Sequence, residues 1–253
     1  MANETSREWV AWGETDPFLA VMGYLPDGRR WSTEAFYGSA EPEWESSFAR
    51  WSVFGVDTSR PVVDLGCGPG RFTRCLAQAF PEVIGIDVSA AQLELARQAV
   101  ADLPASCSFH VSQGPVLPLP AATAGAVFSM SVFQHLDRST AESLIREIGR
   151  VLQPGGTVML HIPVPGSNLS TTVPRVLLRS AVEPVRFGAR RLAHRVGGLP
   201  PVRMRVYDTV RVFRLMGGAG IGDLEMCLCR LEPGGMYFSF FLGRKPAQPG
   251  PCR

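Results

Sequence analysis

Residues 61–72 read Pro-Val-Val-Asp-Leu-Gly-Cys-Gly-Pro-Gly-Arg-Phe (PVVDLGCGPGRF) and are the strongest indication of the fold in the sequence. An apolar run typical of a buried strand leads directly into Gly66, Gly68 and Gly70, and the residues that follow have helical spacing. Glycines let main-chain groups approach a ligand closely, and the start of a helix favours negatively charged ligand groups. The stretch therefore predicts a strand, a ligand-binding loop and a helix.

Short apolar runs and helical segments alternate after this stretch, which indicates parallel strands covered on both faces. A helix from Asp208 and two strand patterns joined by Glu-Pro-Gly-Gly then predict a closing hairpin. The sequence thus predicts an α/β, Rossmann-like fold with a mostly parallel seven-stranded sheet and a closing antiparallel hairpin. The first five predicted strands cover residues 62–66, 83–88, 108–112, 124–131 and 157–163.

Composition indicates a globular, intracellular protein. The chain has 253 residues, 45% of them apolar, which is ample for one core. No apolar run approaches the roughly 20 residues that cross a bilayer, and the six cysteines contain no CxxC pair, so we expect a cytoplasmic protein with reduced thiols and no metal site. The formal charge of +2 gives no indication of nucleic-acid binding.

Two segments lie outside the alternating pattern and predict the domain organisation. Residues 1–55 are rich in tryptophan and are predicted to form an amino-terminal helical cap, with one helix over 33–51, while residues 56–253 form the main domain. An insert at about 164–206 carries eight arginines against the single acid Glu183 and is predicted to form an Arg-rich lid. Three interpretations of the lid stay open: a solvated face, a site for an acidic acceptor, or a membrane contact through residues 175–195 that admits a lipid-like acceptor.

Asp87 lies at the carboxyl end of the second predicted strand, 17 residues after Gly70. A carboxylate at this place can accept two hydrogen bonds from a ribose diol. The glycine spacing is G-x-G-x-G, and Arg71 stands where the dinucleotide fingerprint requires its third glycine. The pattern therefore favours a nucleoside cofactor other than a dinucleotide.

DLGCGPG (64–70) and GIDVS (85–89) resemble the first and second motifs of the class I methyltransferases that use S-adenosylmethionine. The similarity extends from about Pro61 to Pro163 and returns in the closing hairpin. It implies the class I methyltransferase fold and S-adenosylmethionine as the cofactor. Two departures stand out, because Gln113 occupies the place of an adenine-binding acid and Gly125 the place of a common aspartate.

The resemblance also implies which residues hold the cofactor. Gly66, Cys67, Gly68 and Gly70 would line its methionine and ribose portions, and Val88 would pack on its adenine. Asp64 would orient the loop, although a purely structural role in the loop is an equal alternative. The implied cofactor-binding residues are Tyr37, Asp64, Gly66, Cys67, Gly68, Gly70, Asp87, Val88, Gln113, Gly114 and Ser131.

A general base is optional in methyl transfer, and histidine is the usual choice where one is used. His135 follows the fourth predicted strand on the ligand side of a parallel sheet, so it is the candidate catalytic residue. The alternative, that His135 caps or packs the next helix, carries more weight because positioning alone can suffice. His161 lies inside a predicted strand and is interpreted as a core histidine.

The sequence therefore predicts an S-adenosylmethionine-dependent methyltransferase that methylates oxygen in a natural-product, sugar or lipid-like small molecule. Two rivals stay open. A nicotinamide-dependent oxidoreductase is disfavoured by Arg71 and by the closing hairpin, and a non-catalytic module that binds S-adenosylmethionine would keep the same motifs. The identity of the acceptor and the oligomeric state stay open as well.

Overall fold

The computed structural model describes residues 4–22, 29–165, 204–232 and 236–247. Its central feature is a seven-stranded sheet with the order β3-β2-β1-β4-β5-β7-β6. Strands β1 to β5 run parallel, and β7 is antiparallel to both β5 and β6. The predicted sheet and closing hairpin are confirmed. The strands are β1 (Val62–Leu65), β2 (Glu82–Asp87), β3 (Ser106–Val111), β4 (Ala124–Ser129), β5 (Leu152–Pro165), β6 (Gly222–Glu232) and β7 (Met236–Arg244).

Helices cover both faces of this sheet, as the alternating pattern predicts. A cluster of buried residues joins one face to α7 and α8, with Ile148 and Met216 fully buried. A second cluster joins the other face to α4 and α5, with Trp51 fully buried. The helices are α1 (Glu4–Thr15), α2 (Pro17–Met22), α3 (Thr33–Gly38), α4 (Glu41–Phe54), α5 (Thr73–Ala79), α6 (Ala90–Ala99), α7 (Arg138–Val151) and α8 (Thr209–Gly218).

The amino-terminal segment differs from the prediction in one detail. Two helices, α3 and α4, replace the single helix predicted over 33–51. The chain turns at Ser39 and Ala40, and Pro42 stands in the first turn of α4, where its missing N–H costs no hydrogen bond. The same proline in the middle of a longer helix would interrupt the hydrogen-bond ladder.

The order of the strands determines where a ligand can bind. Strands β2 and β3 are added on one side of β1, and β4 and β5 are added on its other side. The order in which strands are added therefore reverses at the boundary between β1 and β4. In open parallel sheets, ligands bind at this reversal, beyond the carboxyl ends of the strands. The residues that follow β1, β2 and β4 lie at this edge.

The predicted Arg-rich lid lies largely outside the described residues, which omit 166–203, and so does the predicted membrane contact at 175–195. Strand β5 continues to Pro165, one residue past the predicted start of the insert. The division into a cap and a main domain stays a prediction. Among the described residues, no helix is both long and apolar enough to cross a membrane.

Candidate functional site

A cavity of about 140 Å³ opens at the carboxyl ends of β1, β2 and β4. Its floor includes Gly66 and Gly68 of the glycine loop, and Asp87 and Val88 at the end of β2. The segment after β4 supplies another wall through residues 130–132 and His135–Leu136, and α1 closes the cavity from outside with Thr5, Ser6 and Trp9. Six of the predicted site residues meet in this cavity: Gly66, Gly68, Asp87, Val88, Ser131 and His135.

The glycine loop adopts left-handed backbone at each of its three motif glycines, with φ of 74° at Gly66, 54° at Gly68 and 90° at Gly70. The Gly66 and Cys67 N–H groups donate to the carbonyl oxygen of Ile86, at 2.7 and 3.1 Å, so β2 holds the loop. A Cβ at Gly70 would lie 2.9 Å from the Cα of Ala96 in α6. Gly70 therefore allows helix packing, whereas Gly66 and Gly68 line the cavity.

Asp87 connects the second strand to the glycine loop. Its Oδ2 accepts from the Gly68 N–H and its Oδ1 from the Ser89 N–H, both at 2.9 Å. Burial raises the pKa of this carboxyl, while the backbone N–H donors oppose the rise. Each carboxylate oxygen has acceptor capacity beyond its backbone bond, and Asp87 lines the cavity, so Asp87 can accept from a ligand diol and hold the loop together.

Asp64 and Cys67 lie deeper and contribute through their surroundings. Asp64 is buried, and its Oδ2 accepts a 2.7 Å hydrogen bond from the Thr73 hydroxyl. Burial raises the pKa of Asp64 to about 7, with a smaller contribution from the charge of Asp87. Burial also raises the pKa of the Cys67 thiol, which therefore stays protonated and serves as an apolar wall.

A second, smaller cavity of about 60 Å³ adjoins the first and shares Gly66, Gly68 and Ser131 with it. Asp64 and Arg71 complete its polar lining, and Cys67 adds an apolar wall. One terminal nitrogen of Arg71, Nη1, donates to the Ser39 carbonyl and hydroxyl, at 3.1 and 2.9 Å. The other, Nη2, lies 2.5 Å from Glu43 Oε2. The guanidinium is thus anchored by α3 and α4.

Each cavity is lined by one residue whose side chain has a buried donor without a partner among the described residues. The Nε of Arg71 and the Nε2 of Gln92 are both buried and make no hydrogen bond there. Gln92 lines the larger cavity and Arg71 the smaller one. Because an unpaired buried donor carries a large desolvation cost, the pair indicates two places where a ligand acceptor would be stabilised.

The structure does not bring all the predicted residues to the cavities. The Gln113 side chain is exposed, and neither Gln113 nor Gly114 is among the lining residues. Ser112 lines the larger cavity instead, and its hydroxyl donates to the Gly114 carbonyl at 2.7 Å. Tyr37 supports the loop from behind, because its hydroxyl donates to the Pro69 carbonyl at 2.9 Å. Ligand contacts by these residues stay predictions.

His135 lies in a short 3-10 turn, Phe133–His135, between β4 and α7. Its ring centroid is 4.7 Å from that of Trp9, at an interplanar angle of 58°, so α1 and the turn meet at the cavity. Arg205 donates to the His135 carbonyl at 2.9 Å. This placement is compatible with a base and with a structural contact, and the role of His135 stays a prediction.

Sequence reasoning missed several lining residues: Thr5, Ser6, Trp9, Val21, Gln92, Ser112, Thr140 and Leu144. Of these residues, only Trp9 was indicated by the sequence, because its i, i+3 spacing from Trp12 predicts a shared helix face. Trp12 is indeed buried in a small cluster with Leu19 and Ala20. Within the described ranges, no group of three or more His, Cys, Asp or Glu could hold a metal ion.

Comparisons with known proteins agree with this geometry. Residues 62–156 match the family model of a methyltransferase domain. The chain is 37% identical over 118 residues to trans-aconitate 2-methyltransferase of Azoarcus sp. strain BH72, covering 43% of this chain and 41% of that protein. It is 35% identical over 108 residues to malonyl-[acyl-carrier protein] O-methyltransferase of Alcanivorax borkumensis, covering 42% and 36%.

The chain thus spans less than half the length of these curated relatives. Among solved structures, the [4+2]-cyclase SpnF superposes with a TM-score of 0.64 at 17% identity, over 98% of each chain. At that identity the superposition shows the shared fold alone. The family model covers the glycine loop, Asp87 and the segment after β4, all of which line the cavities.

Proposed function

We propose that the protein is an S-adenosylmethionine-dependent methyltransferase that methylates a small molecule, because residues 62–156 match the family model of a methyltransferase domain. The observation that carries the proposal is the pair of adjoining cavities around Gly66 and Gly68. S-adenosylmethionine has a nucleoside at one end and an amino-acid tail, with a carboxylate and an ammonium group, at the other. The larger cavity has residues that suit the nucleoside, and the smaller cavity has residues that suit the tail.

The residues of the larger cavity fit a nucleoside. Asp87 offers carboxylate lone pairs to the ribose hydroxyls, and Gln92 offers its unpartnered Nε2 donor. Val88 and Ile86 provide apolar surface for a base. These residues would hold S-adenosylmethionine at its nucleoside end, with Asp87 as the acidic group.

The residues of the smaller cavity fit an amino-acid tail. The Arg71 Nε is a donor suited to a carboxylate, and Asp64 is an acceptor suited to an ammonium group. Since the pKa of Asp64 is about 7, a neighbouring ammonium would favour its charged form. When bound, the cofactor supplies a methyl group on a positively charged sulfur.

The chain's own contribution to the chemistry is positioning and exclusion of water. Trp9 of α1 and Val132 after β4 line opposite parts of the larger cavity, which has mainly apolar walls. Holding two reactants in line in such an environment supplies much of the rate acceleration in a displacement reaction. A base is not required, and His135 would accept a proton only if the acceptor needs one removed.

We further propose oxygen as the acceptor atom. The support is the similarity to a relative named as an O-methyltransferase and the position of His135 on the cavity wall. Acidic and lipid-like acceptors both stay within the proposal, because the Arg-rich residues that would select them lie outside the described ranges.

The test is transfer of a labelled methyl group from S-adenosylmethionine to a panel of acceptors. The panel contains trans-aconitate, a malonyl thioester, a phenol, a sugar and a lipid-like alcohol, each with and without anionic liposomes. The proposal expects label in at least one small molecule, with the new methyl on oxygen by mass spectrometry. Transfer to nitrogen or carbon alone would contradict the oxygen proposal.

A second candidate is a protein that binds the cofactor without transferring its methyl group. The fold superposes over nearly the full chain on a protein named as a cyclase, so the fold is not restricted to methyl transfer. This similarity supports the second candidate. The same assay separates the two candidates. Tight binding of S-adenosylmethionine with no labelled product across a broad panel would favour the second.

A further inference from the structure

Ser131 is the residue shared by both cavities that carries backbone strain. It follows β4 by two residues and has φ of 59°, a left-handed conformation that non-glycine residues rarely adopt. Glycine would adopt this backbone without steric cost, as the glycine loop does. Strained residues of this kind concentrate at ligand sites, which directs attention to the serine hydroxyl.

His161 lies beside this hydroxyl on the neighbouring strand β5. The Ser131 Oγ and the His161 Nδ1 are 3.5 Å apart. The imidazole is fixed by two aromatic rings of β7, because it stacks on Phe238 at 4.8 Å and 10° and meets Phe240 at 5.1 Å and 48°. The histidine predicted to be a core residue is therefore a rigid partner of a cavity residue.

The imidazole is uncharged at neutral pH. Burial lowers the pKa of His161 to about 4, and the positive charge of Arg71 acts in the same direction. A neutral imidazole has one N–H donor and one lone pair. It can therefore orient the Ser131 hydroxyl in either sense without placing a charge beside the cavities.

The surroundings of this pair suit a neutral polar group more than a carboxylate. Arg71 is the cation among the described residues that line the two cavities. Its terminal nitrogens contact Glu43 and Ser39, and its Nε is assigned to the carboxylate of the cofactor. The neighbouring wall residues Met130 and Val132 are apolar. A carboxylate facing Ser131 would lose its hydration without gaining a cation from these residues, and that loss is costly.

From this juxtaposition we infer that Ser131 and His161 form the acceptor subsite, which binds a neutral hydroxyl carried on an apolar frame, such as an alcohol or a phenol. The inference rests on the proposed function and deepens it by naming the class of acceptor. Ser131 Oγ contacts the acceptor hydroxyl, and His161 is a positioning residue that acts through Ser131. No proton transfer to His161 is part of the inference.

The test uses phenol and benzoate as probes of matched size, one neutral and one anionic. Each is titrated into the full chain with and without S-adenosylhomocysteine, with the His161 ring signals followed by NMR and the dissociation constants measured by ligand-observed NMR. We expect phenol to shift the His161 signals and to bind more tightly than benzoate. Equal binding of both probes, or no shift at His161 with phenol, would overturn the inference.

Variants test the two members of the pair. Ser131→Gly keeps the backbone conformation and should weaken phenol binding about fivefold, the effect of one lost neutral hydrogen bond. His161→Phe should weaken it similarly, whereas His161→Asn, which places an amide near the Nδ1 position, should restore binding to within about twofold. His110→Phe on β3 is the matched control and should change nothing.

Failure of this inference is distinguishable from failure of the proposed function. Loss of S-adenosylhomocysteine binding in the folded wild-type chain would contradict the proposed function. Retained S-adenosylhomocysteine binding, together with phenol affinity that is the same in Ser131→Gly and the wild type, would overturn the acceptor subsite alone. If His161→Asn and His161→Phe behave alike, His161 is structural and its role as a positioning residue is wrong.

Discussion

The glycine loop after β1 and Ser131 after β4, which is supported by His161 of β5, line the same cavities but are built differently. The loop places left-handed backbone on glycines, where it carries no steric cost. The segment after β4 places the same kind of backbone on a serine. The difference indicates that the loop provides close approach of main chain to a ligand, whereas Ser131 provides a hydroxyl at a conformational cost.

The largest expected effect concerns the packing of the loop. Gly70→Ala combines a φ of 90° with a Cβ 2.9 Å from the α6 backbone, and should lower the free energy of unfolding by roughly 3 to 4 kcal/mol. Gly220→Ala has a φ of 77° and no atom within 4 Å of the new Cβ, so it should cost only about 1 kcal/mol. Urea denaturation measures both. Equal losses would mean that contact with α6 is not what requires glycine at position 70.

A second prediction compares two buried groups, one in each region, whose charged forms are disfavoured by burial. The pKa of His161 is lowered to about 4, so the unfolded chain binds more protons than the folded one between pH 6.5 and 4. Its contribution to stability is full above pH 6.5 and falls by up to about 3 kcal/mol on acidification. The pKa of Asp64 is raised to about 7, so its contribution is full below pH 3.8 and is lost as the pH rises to 7.

The pH dependence of stability due to His161 opposes that due to Asp64 in the wild type between pH 4 and 6.5. The pKa of Asp87 is also raised, so Asp87 acts in the same direction as Asp64. Asp64→Asn should therefore make the protein lose more stability on acidification than the wild type, and His161→Phe should make it lose less. Urea midpoints from pH 4.5 to 7.5 give the slopes. Parallel slopes in all three proteins would contradict the pKa shifts.

Asp87 connects the loop to the ribose position and gives the third prediction. Asp87→Ala removes the cavity-facing lone pairs and should weaken S-adenosylhomocysteine binding by ten- to a hundredfold, about 1 to 3 kcal/mol. The variant also loses the acceptors of the Gly68 and Ser89 N–H groups, so its fold is checked by circular dichroism. Asp57→Ala, on the surface, is the control. Unchanged affinity in folded Asp87→Ala would remove Asp87 from the site.

The smallest expected effect tests the cost of the serine backbone. Ser131→Gly relieves the left-handed strain and should raise the free energy of unfolding by about 0.5 to 1 kcal/mol. Ala122→Gly, at φ of 53° in an exposed turn, should give a similar gain and leave phenol binding unchanged. Thermal unfolding compares the two. A loss of stability in Ser131→Gly alone would show that the hydroxyl stabilises the fold more than the strain costs.

The comparison also shows which parts of the site could be predicted. Gly66, Gly68 and Asp87 lie at the ends of adjacent strands, and their residue types and spacing place them at one edge of a parallel sheet. The mostly parallel seven-stranded sheet with its closing hairpin followed from the alternating pattern, whereas the order of the strands is known from the structure. These features depend on local sequence, and the structure places them as predicted.

Other features depend on contacts between distant residues. Ser131 and His161 are 30 positions apart, and their pairing requires the register of β4 and β5 together with two rings of β7. Ser112 rather than Gln113 lines the cavity, because the chain turns back at the end of β3, where the Ser112 N–H donates to the Asp87 carbonyl. The docking of α1 depends on Gly13, whose missing side chain makes room for Ser89 and Gln92.

Calorimetric titration of the full chain with S-adenosylhomocysteine tests whether the two cavities bind the cofactor. It needs no knowledge of the acceptor. The two cavities predict one binding site with a micromolar dissociation constant. The Asp87→Ala variant should raise this dissociation constant. Absence of binding heat in a sample that is folded by circular dichroism, at several temperatures, would contradict the assignment of the cavities to this cofactor.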